Sequence, residues 1–262
     1  MRVDLPTTVH PAAEGETAPP LVMAHGLFGQ GRNFASLARR LAATRRVVTV
    51  DMRNHGAARH VAEMDYPAMA DDLAGVVEAE GGRAVVLGHS MGGKAAMVLA
   101  LSRPDLLAGL IVADIAPVAY GHTHAGFVEA MQGVDLARVG RRSDADPMLR
   151  DAIPEAPLRA FLLQSLEVAG GEARWKLNLS AIAAAMPTLT GFPDDLPETA
   201  YEGPALFLRG GASDYVPPSA EPRIRALFPA AEIETMAGAG HWLHAEKPDA
   251  FVATVAGWLD RH

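Results

Sequence analysis

The sequence predicts an α/β protein with a mostly parallel β-sheet that is covered by helices on both faces. Short apolar runs of the β type recur along the chain and alternate with segments of helical periodicity. Most of these runs are apolar on both faces of the strand, which is typical of strands buried on both sides. The chain has 262 residues, enough for one large α/β domain or for a core with a smaller insertion.

The overall composition argues against several classes of protein. Hydrophobic residues make up 49% of the chain and charged residues 21%, as in an ordinary globular protein. The formal net charge of −8 gives no basic footprint for nucleic acid or for an anionic membrane. The chain contains no cysteine, which excludes disulfides, Cys-ligated metals and a thiol nucleophile.

The distribution of apolar residues predicts a cytoplasmic protein. No uninterrupted apolar stretch approaches the ~20 residues that a membrane span requires. The first 20 residues lack the apolar core of a signal peptide. We therefore expect neither a membrane span nor a secretory route.

The first half of the chain alternates regularly between strands and helices. After a polar segment that reads as an edge strand and a loop, the predicted strands are residues 21–24, 47–50, 84–87 and 109–113. The predicted helices between them are residues 33–42, 66–80 and 94–102.

The rhythm changes after the strand that ends at Asp114. Residues 117–201 show helical patches broken by prolines and glycines, and no β-type run. We interpret them as a helical cap inserted between two strands. The alternation then resumes with strands 205–208 and 232–236 and helices 219–227 and 248–258. The predicted domains are thus a core of residues 1–116 and 202–262 and a cap of residues 117–201.

The pentapeptide Gly88-His89-Ser90-Met91-Gly92 joins an apolar strand to a helix. In that context, the pattern G-x-S-x-G is typical of a nucleophile elbow, in which a strained turn exposes the serine hydroxyl at the carboxyl edge of a sheet. Gly88 and Gly92 lack the Cβ atoms that would clash in such a turn. Ser90 is therefore the predicted nucleophile.

A serine hydroxyl needs an imidazole to accept its proton before it becomes a useful nucleophile. Of the ten histidines, His241 follows the last predicted strand, so it should lie at the same sheet edge as Ser90. His244 comes one helical turn later, but the Gly-His pair at the strand end favours His241. We interpret His89, beside the nucleophile, as a packing residue.

Two aspartates could orient the imidazole. Asp214 lies in the loop after the strand that follows the cap, and Asp114 ends the strand that follows the elbow unit. Both give the order Ser, Asp, His along the chain that this kind of site requires. The spacing of residues alone leaves both open.

A developing oxyanion needs two N–H donors. The elbow supplies the main-chain N–H of Met91, and the loop His25-Gly26-Leu27-Phe28-Gly29 supplies a second, for which we predict Leu27. The loop of residues 51–56 is expected to brace these active-site loops by hydrogen bonds. Lys94 is expected to be a helix residue with a solvated ammonium group.

Several motifs together resemble those of α/β-hydrolases. They include H-G-L-F-G-Q-G-R-N-F, D-M-R-N-H-G, G-H-S-M-G-G-K, D-I-A-P, W-K-L-N-L and G-H-W-L-H-A-E-K-P, and they span residues 21–258. More narrowly, the chain resembles the bacterial esterase and thioesterase subfamily that is related to mitochondrial abhydrolase-domain proteins. This resemblance implies an eight-stranded, mostly parallel sheet with a helical cap, and an enzyme without a cofactor or metal.

The resemblance also assigns site residues. It implies Ser90 as nucleophile, His241 as base, and Leu27 and Met91 as oxyanion donors. In the post-cap loop, the relatives carry Gly-Gly-Asn-Ser and then a non-acidic residue, and they have an aspartate at the strand end that Asp114 occupies. We therefore favour Asp114 as the acid, with Ser213 as its hydrogen-bonding neighbour and Asp214 as the alternative.

The predicted activity is hydrolysis of carboxylic esters or thioesters of small to medium acyl chains through an acyl-enzyme on Ser90. One alternative is a cofactor-free perhydrolase or haloperoxidase that uses the same three side chains. Another is a non-catalytic ligand receptor with a hydrolase fold. Epoxide hydrolases and haloalkane dehalogenases are disfavoured because they carry aspartate at the position of Ser90. The expected ligand is a small-molecule ester or thioester.

Overall fold

The computed structural model describes residues 1–121, 123–194, 196 and 200–262. Its strands are Thr7–His10 (β1), Leu21–Ala24 (β2), Val47–Val50 (β3), Ala84–His89 (β4), Leu107–Ala113 (β5), Leu166–Ala169 (β6), Glu172–Trp175 (β7), Ala205–Gly210 (β8) and Ala231–Met236 (β9). Its helices are Ala35–Leu41 (α1), Tyr66–Ala79 (α2), Met91–Ser102 (α3), Ala125–Gln132 (α4), Asp146–Leu149 (α5), Ala156–Leu162 (α6), Leu179–Thr190 (α7), Glu221–Leu227 (α8), Leu243–Glu246 (α9) and Pro248–Leu259 (α10).

The main sheet confirms the predicted mostly parallel α/β architecture. Its strand order is β1-β3-β2-β4-β5-β8-β9, and only the edge strand β1 runs antiparallel to its neighbour. Strands β2, β3 and β4 are buried at every position, which accounts for their mostly apolar sequences.

The main sheet has seven strands in the described part of the chain, whereas the resemblance implied eight. Near the amino terminus, β1 is the one strand before β2. The residues before β1 contact both the sheet edge and helix α2: the carbonyl oxygen of Pro6 accepts from the N–H of Asp51, just after β3, at 2.9 Å. The N–H of Val3 donates to Asp72 at 2.6 Å, and Val3 and Leu5 are buried.

Helices cover both faces of the sheet. On one face, α2 and α3 pack against the strands through residues such as Leu73 and Met97. On the other face, α1 and α10 contribute Leu37 and Trp258 to a second apolar cluster. Burial on both faces leaves the loops at the strand ends as the place for polar chemistry.

The segment between β5 and β8 is not purely helical, contrary to the sequence prediction. Besides α4 to α7, it contains the antiparallel hairpin β6–β7, joined by Gly170 and Gly171 with φ of 61° and 84°. Two glycines with positive φ allow this tight turn. The strands have four residues each, too few for a clear alternating pattern. Residues 122, 195 and 197–199 of the predicted cap lie outside the described residues.

In the ranges that the structure describes, no helix combines the length and the apolar character needed to cross a bilayer.

Candidate active site

Ser90 occupies a strained turn between β4 and α3. Its φ of 52° and ψ of −117° lie outside the conformations that a serine ordinarily adopts. A Cβ atom on Gly88 would overlap the carbonyl of Gly92, and one on Gly92 would lie 2.5 Å from the carbonyl oxygen of Ala24. The two glycines therefore allow the turn, as the sequence predicts.

His241 lies in the loop between β9 and α9 and faces Ser90. Its Nε2 atom is 3.1 Å from the Oγ atom of Ser90. The ring of Tyr215 stacks on the imidazole, with ring centroids 3.8 Å apart and an angle of 19° between the planes. The sequence did not single out Tyr215, because no motif marks a residue that packs on an imidazole.

Asp114 stands on the other side of the imidazole, at the end of β5. Its Oδ2 atom accepts from Nδ1 of His241 at 2.8 Å and also from the hydroxyl of Ser213. Its Oδ1 atom accepts from the N–H of Gly210 at 2.7 Å. Since a carboxylate can only accept, the proton of neutral His241 must be on Nδ1, and the lone pair on Nε2 faces Ser90.

The structure brings Asp114, rather than Asp214, to the imidazole. Asp114 is completely buried and has a φ of 50°, which turns its side chain at the strand end. Asp214 has an exposed side chain. Its chain neighbour Ser213 contacts the carboxylate of Asp114 instead.

The two predicted oxyanion donors lie beside Ser90. Gly26 packs so closely that a Cβ atom there would be 3.1 Å from Cβ of Ser90, which places the following residue, Leu27, next to the serine. Met91 is the first residue of α3, and a first-turn N–H has no acceptor within its own helix. Leu27 and Met91 also line one cavity together with Ser90.

Two buried histidines fix the loop that carries Leu27. The N–H of Met52 donates to Nε2 of His25 at 3.0 Å, and the N–H of Phe28 donates to Nε2 of His55 at 3.2 Å. Burial lowers the pKa of His25 to about 4 and that of His55 to about 3. Both rings are thus neutral acceptors near pH 7, and the loop of residues 51–56 makes the bracing contacts that the sequence predicts.

Two further histidines pack behind His241. The Nε2–H of His89 donates to the carbonyl oxygen of His241 at 2.9 Å, and the ring of His244 lies 4.5 Å from that of His89. Burial lowers the pKa of His89 well below its usual value and that of His244 to about 3. His89 is therefore a packing residue, as expected, and His241 is the histidine that faces Ser90.

The prediction of a solvated Lys94 is wrong. Its side chain is 1% exposed, and its ammonium donates to the carbonyl oxygens of Val118 at 2.9 Å, Thr190 at 3.2 Å and Gly191. Nζ also lies 4.6 Å from the ring centre of Tyr120. Burial lowers the pKa of Lys94 to about 7. Sequence alone did not reveal this because the three acceptors are main-chain atoms distant in the chain.

A cavity of about 220 Å³ opens beside Ser90 and is lined by His241, Phe28, Phe127 and Leu158. Most of the lining surface is apolar, which suits an organic substrate. Across the described ranges, no group of three or more His, Asp or Glu side chains is arranged to bind a metal ion.

Comparison with known proteins identifies the family. The model of the alpha/beta hydrolase family matches residues 21–254. The chain belongs to this family. It is 43% identical over 252 residues to the sn-1-specific diacylglycerol lipase ABHD11 of Mus musculus, covering 93% of this chain and 81% of that protein. It is 37% identical over 243 residues to esterase YbfF of Escherichia coli (strain K12), covering 92% and 93% of the two chains.

A solved structure supports the same grouping. A marine microorganism esterase superimposes with a TM-score of 0.92 at 34% identity, over 98% of this chain and 99% of that one. The match extends over the whole fold rather than the sheet alone. Together these relatives confirm the resemblance to the esterase subfamily and to abhydrolase-domain proteins that the motifs indicate.

Proposed function

We propose that this protein is a serine hydrolase that cleaves carboxylic esters or thioesters through an acyl-enzyme on Ser90. The observation that carries the proposal is the continuous chain of contacts from Ser90 through His241 to Asp114, with 3.1 Å and 2.8 Å between successive partners. A buried carboxylate, an imidazole that it orients and a serine hydroxyl that borders a cavity are the three parts of a serine nucleophile activated by a base. The names of the relatives, esterases and a lipase, agree with this chemistry.

The first half of the proposed reaction acylates Ser90. Nε2 of His241 takes the hydroxyl proton as Oγ of Ser90 bonds to the carbonyl carbon of the substrate. Asp114 stabilises the imidazolium that forms, and the N–H groups of Leu27 and Met91 bind the oxyanion. The intermediate collapses when the bond to the leaving group breaks and His241 donates its proton to that group.

The second half releases the acid. His241 removes a proton from a water molecule, and the resulting hydroxide attacks the acyl carbon on Ser90. The second oxyanion is bound by the same two N–H groups. It collapses when the bond from the acyl carbon to Oγ of Ser90 breaks and His241 returns the proton to Oγ. The cycle needs no group beyond the residues of this chain and water.

The test is hydrolysis of p-nitrophenyl esters from acetate to decanoate by the wild type and by Ser90→Ala, purified identically. We expect turnover by the wild type and a fall of at least about a thousandfold in Ser90→Ala. A parallel assay with acetate, hydrogen peroxide and bromide measures perhydrolase activity. Turnover of esters that does not depend on Ser90 would refute the proposal. Brominating activity without ester hydrolysis would favour the perhydrolase, and ligand binding without turnover would favour a receptor.

A further inference from the structure

Two cavities of different size meet at Ser90. The larger, of about 220 Å³, is lined by both Ser90 and His241. The smaller, of about 40 Å³, is lined by Ser90 and Met91, and its far walls are Met186 and Leu189 of α7. His241 lines the larger cavity and not the smaller one. The acyl group and the alcohol group of an ester bound at Ser90 would therefore occupy cavities of different volume.

The position of His241 decides which side of an ester enters which cavity. When the acyl carbon is bonded to Oγ of Ser90, the leaving oxygen must receive the proton that Nε2 of His241 holds. The leaving group therefore lies on the side of the larger cavity. The acyl chain is left with the smaller cavity, next to Met91.

The smaller cavity admits only a short chain. Its volume of about 40 Å³ is less than a fifth of the 220 Å³ of the larger cavity, so it suits an acyl chain of only a few carbons. This corresponds to an acetyl, propionyl or butyryl group.

Hydrogen bonds hold the walls of the smaller cavity in place. The hydroxyl of Tyr66 donates to the carbonyl oxygen of Leu189 at 2.6 Å. The ammonium of Lys94 binds the carbonyl oxygens of the next two residues, Thr190 and Gly191. Met186 and Leu189 are 4% and 7% exposed, so they are packed rather than free to move aside. A longer acyl chain would have to displace α7 from these contacts.

The larger cavity continues into a surface groove that suits a long apolar alcohol. The groove has a volume of about 780 Å³ and shares Leu158, Phe161 and Trp242 with the larger cavity. Phe161 and Trp242 approach each other with ring centroids 6.1 Å apart. The described residues that line this groove include the acidic Glu246 but no lysine or arginine. Negatively charged leaving groups thus find no counter-charge there.

We propose that the preferred substrates are esters of a short acyl group, of two to four carbons, with a long uncharged alcohol. This inference rests on the proposed function. In the reaction, Oγ of Ser90 bonds to the acyl carbon as the bond from that carbon to the alkoxy oxygen breaks. The proton passes from Oγ through His241 to the departing alcohol. Water then releases the short acid.

The decisive test compares two isomers, octyl acetate and ethyl octanoate, which contain the same atoms with the ester group reversed. We expect kcat/KM to be at least about tenfold higher for octyl acetate, because even one methylene too many in a fitted pocket costs about that factor. Equal or faster hydrolysis of ethyl octanoate would overturn the inference while leaving the proposed function intact. If neither isomer nor p-nitrophenyl acetate is hydrolysed, the proposed function fails and the inference with it.

Variants of the cavity walls sharpen the test. Met186→Ala should enlarge the smaller cavity. The ratio of kcat/KM for octyl acetate to kcat/KM for ethyl octanoate should then move closer to one. Met148→Ala is the matched control, since Met148 is 36% exposed and lines neither cavity. Trp242→Ala, at an exposed position, should raise KM for octyl acetate more than for ethyl acetate. An unchanged isomer ratio in a folded Met186→Ala protein would contradict the assignment of the acyl cavity.

Discussion

The Nδ1 atom of His241 lies 2.8 Å from Oδ2 of Asp114, although 127 positions separate the two residues in the chain. The ends of β5 and β9 bring them together, with β8 between those strands. Gly210 and Ser213, in and after β8, donate to the same carboxylate. The carboxylate is thus held by three partners before any substrate arrives, which fixes the orientation of the imidazole.

From this contact we expect Asp114→Asn to lower kcat by roughly 10⁴-fold, because an amide at this position favours the wrong tautomer of His241. Asp214→Asn is the matched control and should retain wild-type kcat, since Asp214 is exposed. The measurement is steady-state hydrolysis of p-nitrophenyl acetate, with thermal unfolding of each variant to show that it folds. A severe loss in Asp214→Asn with an active Asp114→Asn would reverse the assignment.

The ion pair between Arg53 and Asp72 should contribute strongly to stability. Arg53 Nε and Asp72 Oδ2 are 2.6 Å apart, and both side chains are completely buried. Arg53→Met leaves the carboxylate without its counter-charge, so we expect the free energy of unfolding to fall by about 3–5 kcal/mol. Arg141 is 82% exposed in its ion pair with Asp144, so Arg141→Met should change the free energy of unfolding by less than about 1 kcal/mol. Urea denaturation measures both, and equal effects would contradict the prediction.

Buried histidines should make the fold sensitive to acid. Burial lowers the pKa of His25 to about 4 and those of His55 and His244 to about 3, from the ordinary value of 6.5. Below pH 6.5, the unfolded chain binds protons that the folded chain excludes. The free energy of unfolding therefore falls as the pH drops from about 6.5 towards 4, by up to about 1.4 kcal/mol per pH unit for each histidine.

Urea denaturation at pH 7.5, 6.0 and 5.0 tests this dependence. His244→Gln removes one of the three groups, and we expect its stability to change less steeply over the same pH range than that of the wild type. A free energy of unfolding that stays constant from pH 7.5 to 5.0 would show that these imidazoles are not excluded from protonation in the folded state.

Lys94 should hold the segment between β5 and β8 against the elbow helix α3. Its ammonium binds the carbonyl oxygen of Val118 near the start of that segment and those of Thr190 and Gly191 at the end of α7. Lys94→Met removes all three bonds and should cost about 1–3 kcal/mol of the free energy of unfolding. It should also speed proteolysis between residues 118 and 191. Lys247→Met, at an exposed lysine, is the control, and identical behaviour of the two variants would refute this role.

The elbow and the histidine loop were predictable because their signals are local. Gly88 and Gly92 flank Ser90 within five residues. Few other sequence patterns allow a strained turn of this kind, so the pattern alone indicates it. The buried strands β2, β3 and β4 were also predictable, because most of their residues are apolar. The carboxyl edge of a parallel sheet then collects the loops that follow those strands, so the approach of Ser90 and His241 follows from topology.

Other features could not be predicted from the sequence, because they depend on contacts between residues that are distant in the chain. The sequence predicted a solvated Lys94 because its three acceptors are main-chain carbonyl oxygens. Every residue has such an oxygen, so no sequence pattern marks the partners. Tyr215 stacks on His241 without a motif, and the hairpin β6–β7 is too short to show alternation. The choice between Asp114 and Asp214 needed either the resemblance or the geometry, since both aspartates follow strands that end at the same edge.

The most direct test of the proposed mechanism is to detect the acyl group on Ser90. The wild type is mixed with p-nitrophenyl butyrate, quenched in acid within the first turnover, and analysed by intact-protein and peptide mass spectrometry. We predict a mass increase of one butyryl group on the peptide that contains Ser90, and none in Ser90→Ala. Rapid ester hydrolysis with no adduct at any quench time, together with an active Ser90→Ala, would contradict the mechanism.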